Sequence, residues 1–178
     1  MARRRKTIKK PDSYVERTYR AQVDSSDLVA SNVKIKDTDL HILSDYDVTE
    51  AALELAVQYR LQIENYIVKH PRFGSSLVPL PTDSLAPSIV RSMLNAGQRA
   101  DVGPMAAVAG SIAEAVGRDL LAKGCREIVV ENGGDIYFAR RRDSIVAILA
   151  GASPLSMKVG VRLKSDDMPA AICTSSGT

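Results

Sequence analysis

The run Ile128-Val129-Val130-Glu131-Asn132-Gly133-Gly134-Asp135-Ile136-Tyr137-Phe138 constrains the fold more than any other stretch of the chain. An apolar, β-branched segment enters a polar Asn-Gly-Gly-Asp corner, and a second apolar segment leaves it, the pattern of two strands joined by a tight turn. Adjacent glycines lack Cβ atoms, so they accept positive φ and let backbone N–H groups come close to a ligand. Asn132 and Asp135 set an amide and a carboxylate at the same corner. Taken alone, the corner reads as a hairpin turn. A ligand-binding reading gains weight from the segment upstream.

Residues 100–110 read as a loop that delivers a helix. Gly103 followed by Pro104 suits an N-cap and a first-turn proline, whose missing N–H costs nothing there. Met105, Val108, Ile112, Val116 and Leu120 keep the rhythm of a buried stripe, and Lys123-Gly124 supplies a stop. The flank formed by Ala106, Ala107, Ala109, Gly110, Ser111 and Ala113 is built of small side chains. Such a flank serves either tight helix–sheet packing or the approach of a flat ligand, and a helix N-terminus is a natural phosphate site.

Composition narrows the class. At 178 residues and 45% hydrophobic the chain can bury a substantial core, and with no Trp and two Phe that core must be aliphatic and alanine-rich. No apolar stretch reaches membrane-spanning length, and none follows the basic N-terminus, so neither a membrane partner nor a signal peptide is expected. Cys125 and Cys173 form no C-x-x-C pair and fit a reducing cytoplasm. Arg3, Arg4, Arg5, Lys6, Lys9 and Lys10 put six positive charges in the first ten residues. The whole chain carries only +3, so the remainder carries a net −3. Without interleaved aromatics or a nucleic-acid module, residues 1–12 read as a disordered basic tail ahead of one domain over 13–178, and no nucleic-acid partner is expected.

The order of elements then sets the architecture. Residues 19–23, 33–36 and 40–43 read as short strands. Asp47-Val48-Thr49-Glu50 resembles a capping box that opens a long helix, with a stripe of Ala52, Leu55, Tyr59, Ile63, Tyr66 and Ile67 and an end at His70-Pro71. Residues 73–86 read as an irregular loop, and Pro87 opens a second helix carrying Ile89, Val90, Met93 and Leu94. After the third helix, strands are expected over 128–130, 136–139, 145–149, 158–163 and 171–174. Strands, then helices, then strands predict an α+β fold, a mostly antiparallel sheet with helices packed on one face.

Several segments resemble a known group. Lys36-Asp37-Thr38-Asp39-Leu40, His70-Pro71-Arg72-Phe73, the run from Val102 to Gly110, the corner from Val130 to Ile136 and Thr174-Ser175-Ser176-Gly177-Thr178 look like an uncharacterised prokaryotic family of the ApbE-like superfamily, which is named for the FAD:protein FMN transferases. The resemblance implies a T-fold-like arrangement of antiparallel sheets. It also implies FAD or FMN as the bound cofactor, Mg²⁺ as its metal, and transfer of a flavin nucleotide to a protein Ser or Thr. The transferase helix motif Lys-Gly-x-x-x-Asp falls on Ala109, Gly110 and Glu114, so its Lys is replaced by Ala109 and its Asp by Glu114. The Gly-Gly-Asp turn falls on Gly133, Gly134 and Asp135, and the Thr-Ser-Gly segment on Ser175, Ser176 and Gly177. Members of the superfamily continue into further strands with a metal-binding Asp and Thr. The 178 residues are therefore expected to be an incomplete domain whose metal ligands are unknown.

The candidate site that results has Asp135 and Glu114 as catalytic carboxylates. Gly103, Met105, Ala106, Gly110, Asn132, Gly133, Gly134, Asp135, Ser175 and Ser176 are the flavin- or nucleotide-binding set. The alternative is a non-catalytic ligand-binding or scaffold module of the same fold, consistent with Ala109 in place of the lysine. An unpaired sheet edge makes a homo-oligomer the expected assembly. His41, His70 and the Ser175-Ser176 pair show no hydrolase pattern.

Overall fold

Alternating apolar residues and turn dipeptides build seven strands around four helices in the computed structural model, which describes residues 27–174. The strand expected over 19–23, the basic tail and Ser175-Ser176 lie outside the described residues. Strands β1 (Val29–Ile35) and β2 (Thr38–Ser44) form a hairpin through Lys36, held at φ 50°, and Asp37. Helix α1 (Thr49–Lys69), the short α2 (Pro71–Ser75), α3 (Ser88–Ala100) and α4 (Val108–Ala122) follow. Then come β3 (Ile128–Asn132), β4 (Asp135–Ala139), a separate hairpin of β5 (Ser144–Ala147) and β6 (Gly160–Leu163), and β7 (Ala170–Ile172). The main sheet is antiparallel throughout, in the order β1-β2-β3-β4-β7, and the protein is α+β.

Register decides which side chains meet the helices. One row across the sheet is Ser31, Ile42, Val130, Tyr137 and Ala171, and the next helix-facing row is Val33, Leu40, Asn132 and Asp135. Val33, Leu40, Ile42, Val130 and Tyr137 from these rows pack into one buried cluster with Leu55, Tyr59 and Ile63 of α1, Val90 and Met93 of α3, and Ile112, Val116 and Leu120 of α4. The alternate row, Asn32, His41, Glu131, Ile136 and Ile172, points to the other face. The period of two along the strands thus puts Asn132 and Asp135 on the helix side and Glu131, the neighbour of Asn132, on the opposite side.

Three local departures have clear causes. The long helix is capped by Asp47, whose Oδ1 accepts from the Thr49 N–H at 2.9 Å and hydroxyl at 2.7 Å, while Ser31 Oγ accepts the Val48 N–H at 3.0 Å. A tertiary contact from β1 therefore takes part in a cap that sequence spacing alone assigns to Asp47 and Glu50. Pro71 opens α2, which runs to Ser75, into the stretch expected as a loop from residue 73, and lasts long enough to bury Phe73 against the Tyr66 ring. The helix start at Gly103-Pro104 is real, but its first turn, Pro104–Ala107, is a 3-10 turn ahead of α4. No helix among the described residues is long and apolar enough to cross a membrane.

Candidate functional site

The Asn-Gly-Gly-Asp corner closes a two-residue β-turn in which Asn132 and Asp135 pair across the strands. Gly133 sits at φ 67° and Gly134 at φ 98°, the signs a twisted two-residue hairpin demands and L side chains resist. A Cβ on Gly134 would also fall 2.5 Å from Thr174 Oγ1. The Gly134 N–H donates to Glu131 Oε1 at 2.9 Å, so this amide is engaged within the turn itself. Glu131 is buried, and its charge reaches the next acidic residue: burial first, then Glu131, pushes the Asp135 carboxyl above its ordinary range.

Asn132 is buried and spends its amide on the fold. Its Nδ2 donates to the Ala109 carbonyl of α4 at 3.1 Å, and its Oδ1 accepts the Asp39 N–H of β2 at 3.4 Å. This strut sets how close the start of α4 lies to the end of β3. Below it, Tyr137 closes the remaining distance, because a Cβ on Gly117 would meet the ring at 2.5 Å. Above it the helix faces Asp135 across Gly110, where an added Cβ would stand 3.8 Å from Asp135 Cβ, an ordinary contact. The two glycines of α4 therefore differ in kind: Gly117 is filled by its neighbour, and Gly110 is open.

That opening is the edge of a cleft of about 340 Å³ between the end of α3, the start of α4 and the β4–β7 edge. Ala106, Gly110, Glu114 and Asp135, four of the residues singled out in the sequence, line it together. Met105 instead packs against the core, Gly133 is exposed at the turn tip, and Gly134 lies under Thr174. Gly103 is buried in a loop crossing: its N–H donates to Leu77 O at 3.0 Å, and any Cβ would collide with the Ser76 carbonyl. Since Pro104 has no N–H, neither residue offers a free amide to a phosphate. The cleft also takes walls that periodicity could not foretell, namely Ala96 and Ala100 at the end of α3 with Val102 just after it, and Tyr137 and Ala171 from the sheet with Cys173 just after β7. The β7 contribution depends on the long-range pairing of Tyr137 with Ala171. The α3 contribution depends on Asp101 turning the chain at φ 56°. Asp101 as a left-handed helix end was the available local signal, since Asp and Asn tolerate that conformation better than other side chains.

A second depression of about 280 Å³ adjoins the first, sharing Ser111 and Glu114. It lies between α1, α3 and α4 and is lined by Tyr59, Ser88, Ser92, Arg118 and Asp119 among others. Arg118 pairs with Glu114 at 2.7 Å, and the Tyr59 hydroxyl donates to Asp119 at 2.8 Å. Burial, then this carboxylate, pushes the Tyr59 phenol up to about 12. No group of three or more His, Cys, Asp or Glu side chains placed to hold a metal occurs among the described residues.

A family described as AbpE bacteria matches residues 20–178. A UPF0280 protein of Methanococcus aeolicus is 36% identical over 154 residues, covering 85% of this chain and 62% of that relative. UPF0280 proteins of Methanococcus maripaludis and Methanocaldococcus jannaschii are 40% identical over 149 residues and 42% identical over 147, covering 82% and 81% of this chain and 60% and 59% of their own lengths. The chain spans about three fifths of the length of the curated relatives it matches.

Proposed function

The chain belongs to the family described as AbpE bacteria, and we propose that it binds the flat ring of a flavin or related nucleotide in the cleft beside Asp135. The observation that carries this reading is the cleft itself, where small residues of α4 leave a wall low enough for a planar ring and Asp135 and Glu114 border it. About 340 Å³ lies at the small end of ligand sites, which suits a ring system whose substituents extend outside. The resemblance to the ApbE-like superfamily supports the choice of a flavin, and the wall of small residues supports this cleft as its position.

The donor set divides the expected chemistry. Among the residues lining the cleft there is no Lys or Arg, so the wall repels a bare phosphate. Mg²⁺ prefers oxygen ligands and is commonly held by one or two carboxylates together with substrate phosphates. Asp135 fits that role, with Glu114 one helical turn beyond Gly110 on the same wall. When bound, the ion would neutralise phosphate charge near Asp135. Mg-dependent transfer of a flavin nucleotide is the activity this arrangement would serve. The absence of a cation at Ala109 favours a second reading, a binding module that holds the ring without transferring it.

The test is a titration of the 178-residue chain with FAD, FMN and riboflavin, with and without Mg²⁺, read by flavin fluorescence and by thermal melting. A ligand at about 100 times its Kd should stabilise by about 2.7 kcal/mol, a rise of roughly 5–10 °C for a domain of this size. Gly110→Leu, which projects into the open side of α4, should abolish the shift while leaving helix content unchanged. Cys173, exposed at the cleft, should lose reactivity toward iodoacetamide when the ring is bound, while buried Cys125 stays inert. No shift with any flavin, or an equal shift in Gly110→Leu, overturns the proposal.

A further inference from the structure

The depression beside the cleft has a different chemistry and is joined to it, which suggests what the rest of the ligand is. We infer that the α1–α3–α4 depression is a subsite for an uncharged, hydroxyl-rich arm, such as a ribityl or ribose chain, of the ligand whose ring occupies the cleft. The inference rests on the ring reading above. Its geometric basis is continuity: Ser111 and Glu114 line both depressions and form the saddle between them. From Gly110 to Asp119 the groove follows nine residues of α4, roughly 13 Å at 1.5 Å of rise per residue. A ring alone does not reach that far, whereas a ring with a chain does.

The lining selects the arm. Ser88 and Ser92 on α3 and Ser111 on α4 are hydroxyls that both donate and accept, and Glu114 and Asp119 are carboxylates that accept. Ile89 and Ala115 give apolar ground for the C–H side of a polyol. Two carboxylates against the single guanidinium of Arg118 leave the depression net negative, which disfavours phosphate and leaves neutral hydroxyl groups as the matching partner. Arg118 and Glu114 hold each other at 2.7 Å on side chains 63% and 42% exposed. An exposed pair of this kind is weak and opens readily to a ligand hydroxyl. Tyr59 and Asp119, bonded to each other, form the more rigid end of the depression.

The experiment compares riboflavin with lumiflavin, which has the same ring but a methyl group in place of the ribityl chain. With the 178-residue chain, riboflavin should bind about 10-fold or more tightly than lumiflavin, the effect of two or three added hydrogen bonds. Ser92→Leu, on an exposed position of α3, should erase that preference and leave the lumiflavin constant within about twofold. The double variant Ser88→Ala with Ser92→Ala should reduce the preference without adding bulk, and circular dichroism checks that both variants keep their helices. Equal affinities for the two compounds, or a preference that survives both variants, overturns the arm site and leaves the ring site standing. Displacement of riboflavin but not lumiflavin by inorganic phosphate would make the depression an anion site and overturn the inference. If neither compound binds, the ring reading fails, and the arm site fails with it.

Discussion

Asn132→Ala separates a structural amide from a ligand-binding one. In the native fold this side chain donates to Ala109 O at 3.1 Å and accepts from Asp39 N at 3.4 Å, and it is only 5% exposed. Each such bond contributes about 0.5–1.5 kcal/mol net, the longer one at the lower end. Truncation also takes this acceptor from the buried Asp39, which keeps other interactions, so the desolvation cost lies toward the lower end of about 1–3 kcal/mol. The Ala109 carbonyl loses less, because it retains its second lone pair for the helix. The expected loss is about 2–3 kcal/mol, a large share of the 5–15 kcal/mol typical of a domain. Urea unfolding should show a lower midpoint at an unchanged m-value, and the melting temperature should fall by roughly 4–12 °C. Asn132→Asp keeps the acceptor for Asp39 but turns a carboxyl oxygen toward the Ala109 carbonyl. The folded state then holds that carboxyl's proton to higher pH than the unfolded chain does. Relative to the parent, the variant's stability should therefore be greatest below about pH 3.9 and decline as pH rises toward the folded pKa. An Asn132→Ala protein within about 0.5 kcal/mol of the parent would refute the strut and return Asn132 to the ligand.

Two further perturbations probe the helix and the carboxylate. Gly110→Ala adds a methyl in ordinary contact with Asp135, 3.8 Å away, and should stabilise by about 0.5–1 kcal/mol through helix propensity, whereas Gly117→Ala drives a methyl to 2.5 Å from Tyr137 and should cost about 1–3 kcal/mol. Thermal melts moving in the same direction for both would show that the two glycines do not differ as described. Burial and Glu131 raise the Asp135 carboxyl, so its contribution to stability is fully present below its unfolded pKa and is lost as pH rises through the folded one. Asp135→Asn should accordingly gain on the parent in urea midpoints as pH rises from the ordinary carboxyl range through the raised folded one, and a gap that stays constant across that rise would sink the argument.

Local chemistry made most of the fold legible. The stripes of α1, α3 and α4, the stop at Gly124, and the two strands flanking Gly133-Gly134 all follow from periodicity and turn residues that act within a few positions. What escaped depends on partners distant in sequence. Ser31 joins the cap of α1 from another strand, Gly103 is fixed by the carbonyl of Ser76, and β7 joins the sheet only because Ala170–Ile172 pairs with β4. The cleft was legible in the same measure. Ala106, Gly110, Glu114 and Asp135 stand out as small or acidic residues and come together in one cleft. Sequence does not say which small residue faces a ligand and which a neighbour: Ala113, in the same flank, is fully buried in the core.

This division within one helix explains how a cleft forms on a tightly packed sheet. The lower part of α4 is drawn against β3 and β4 by Gly117, which admits the Tyr137 ring, and by Val116 and Leu120 in the core. The upper part is held by a polar strut, Asn132 to Ala109, and faces a carboxylate instead of an apolar side chain. Asp135 has a strong reason to stay hydrated, since burial and the nearby Glu131 both oppose its charge, so full closure of the helix onto it would be costly. The gap is thus maintained by the same residues that would act on a ligand. Loss of Asn132 would disturb cleft and stability together, whereas a side chain added at Gly110 would close the cleft without loosening the fold. Comparing those two variants in one binding assay distinguishes a site built into the packing of α4 from a surface depression that happens to lie beside it.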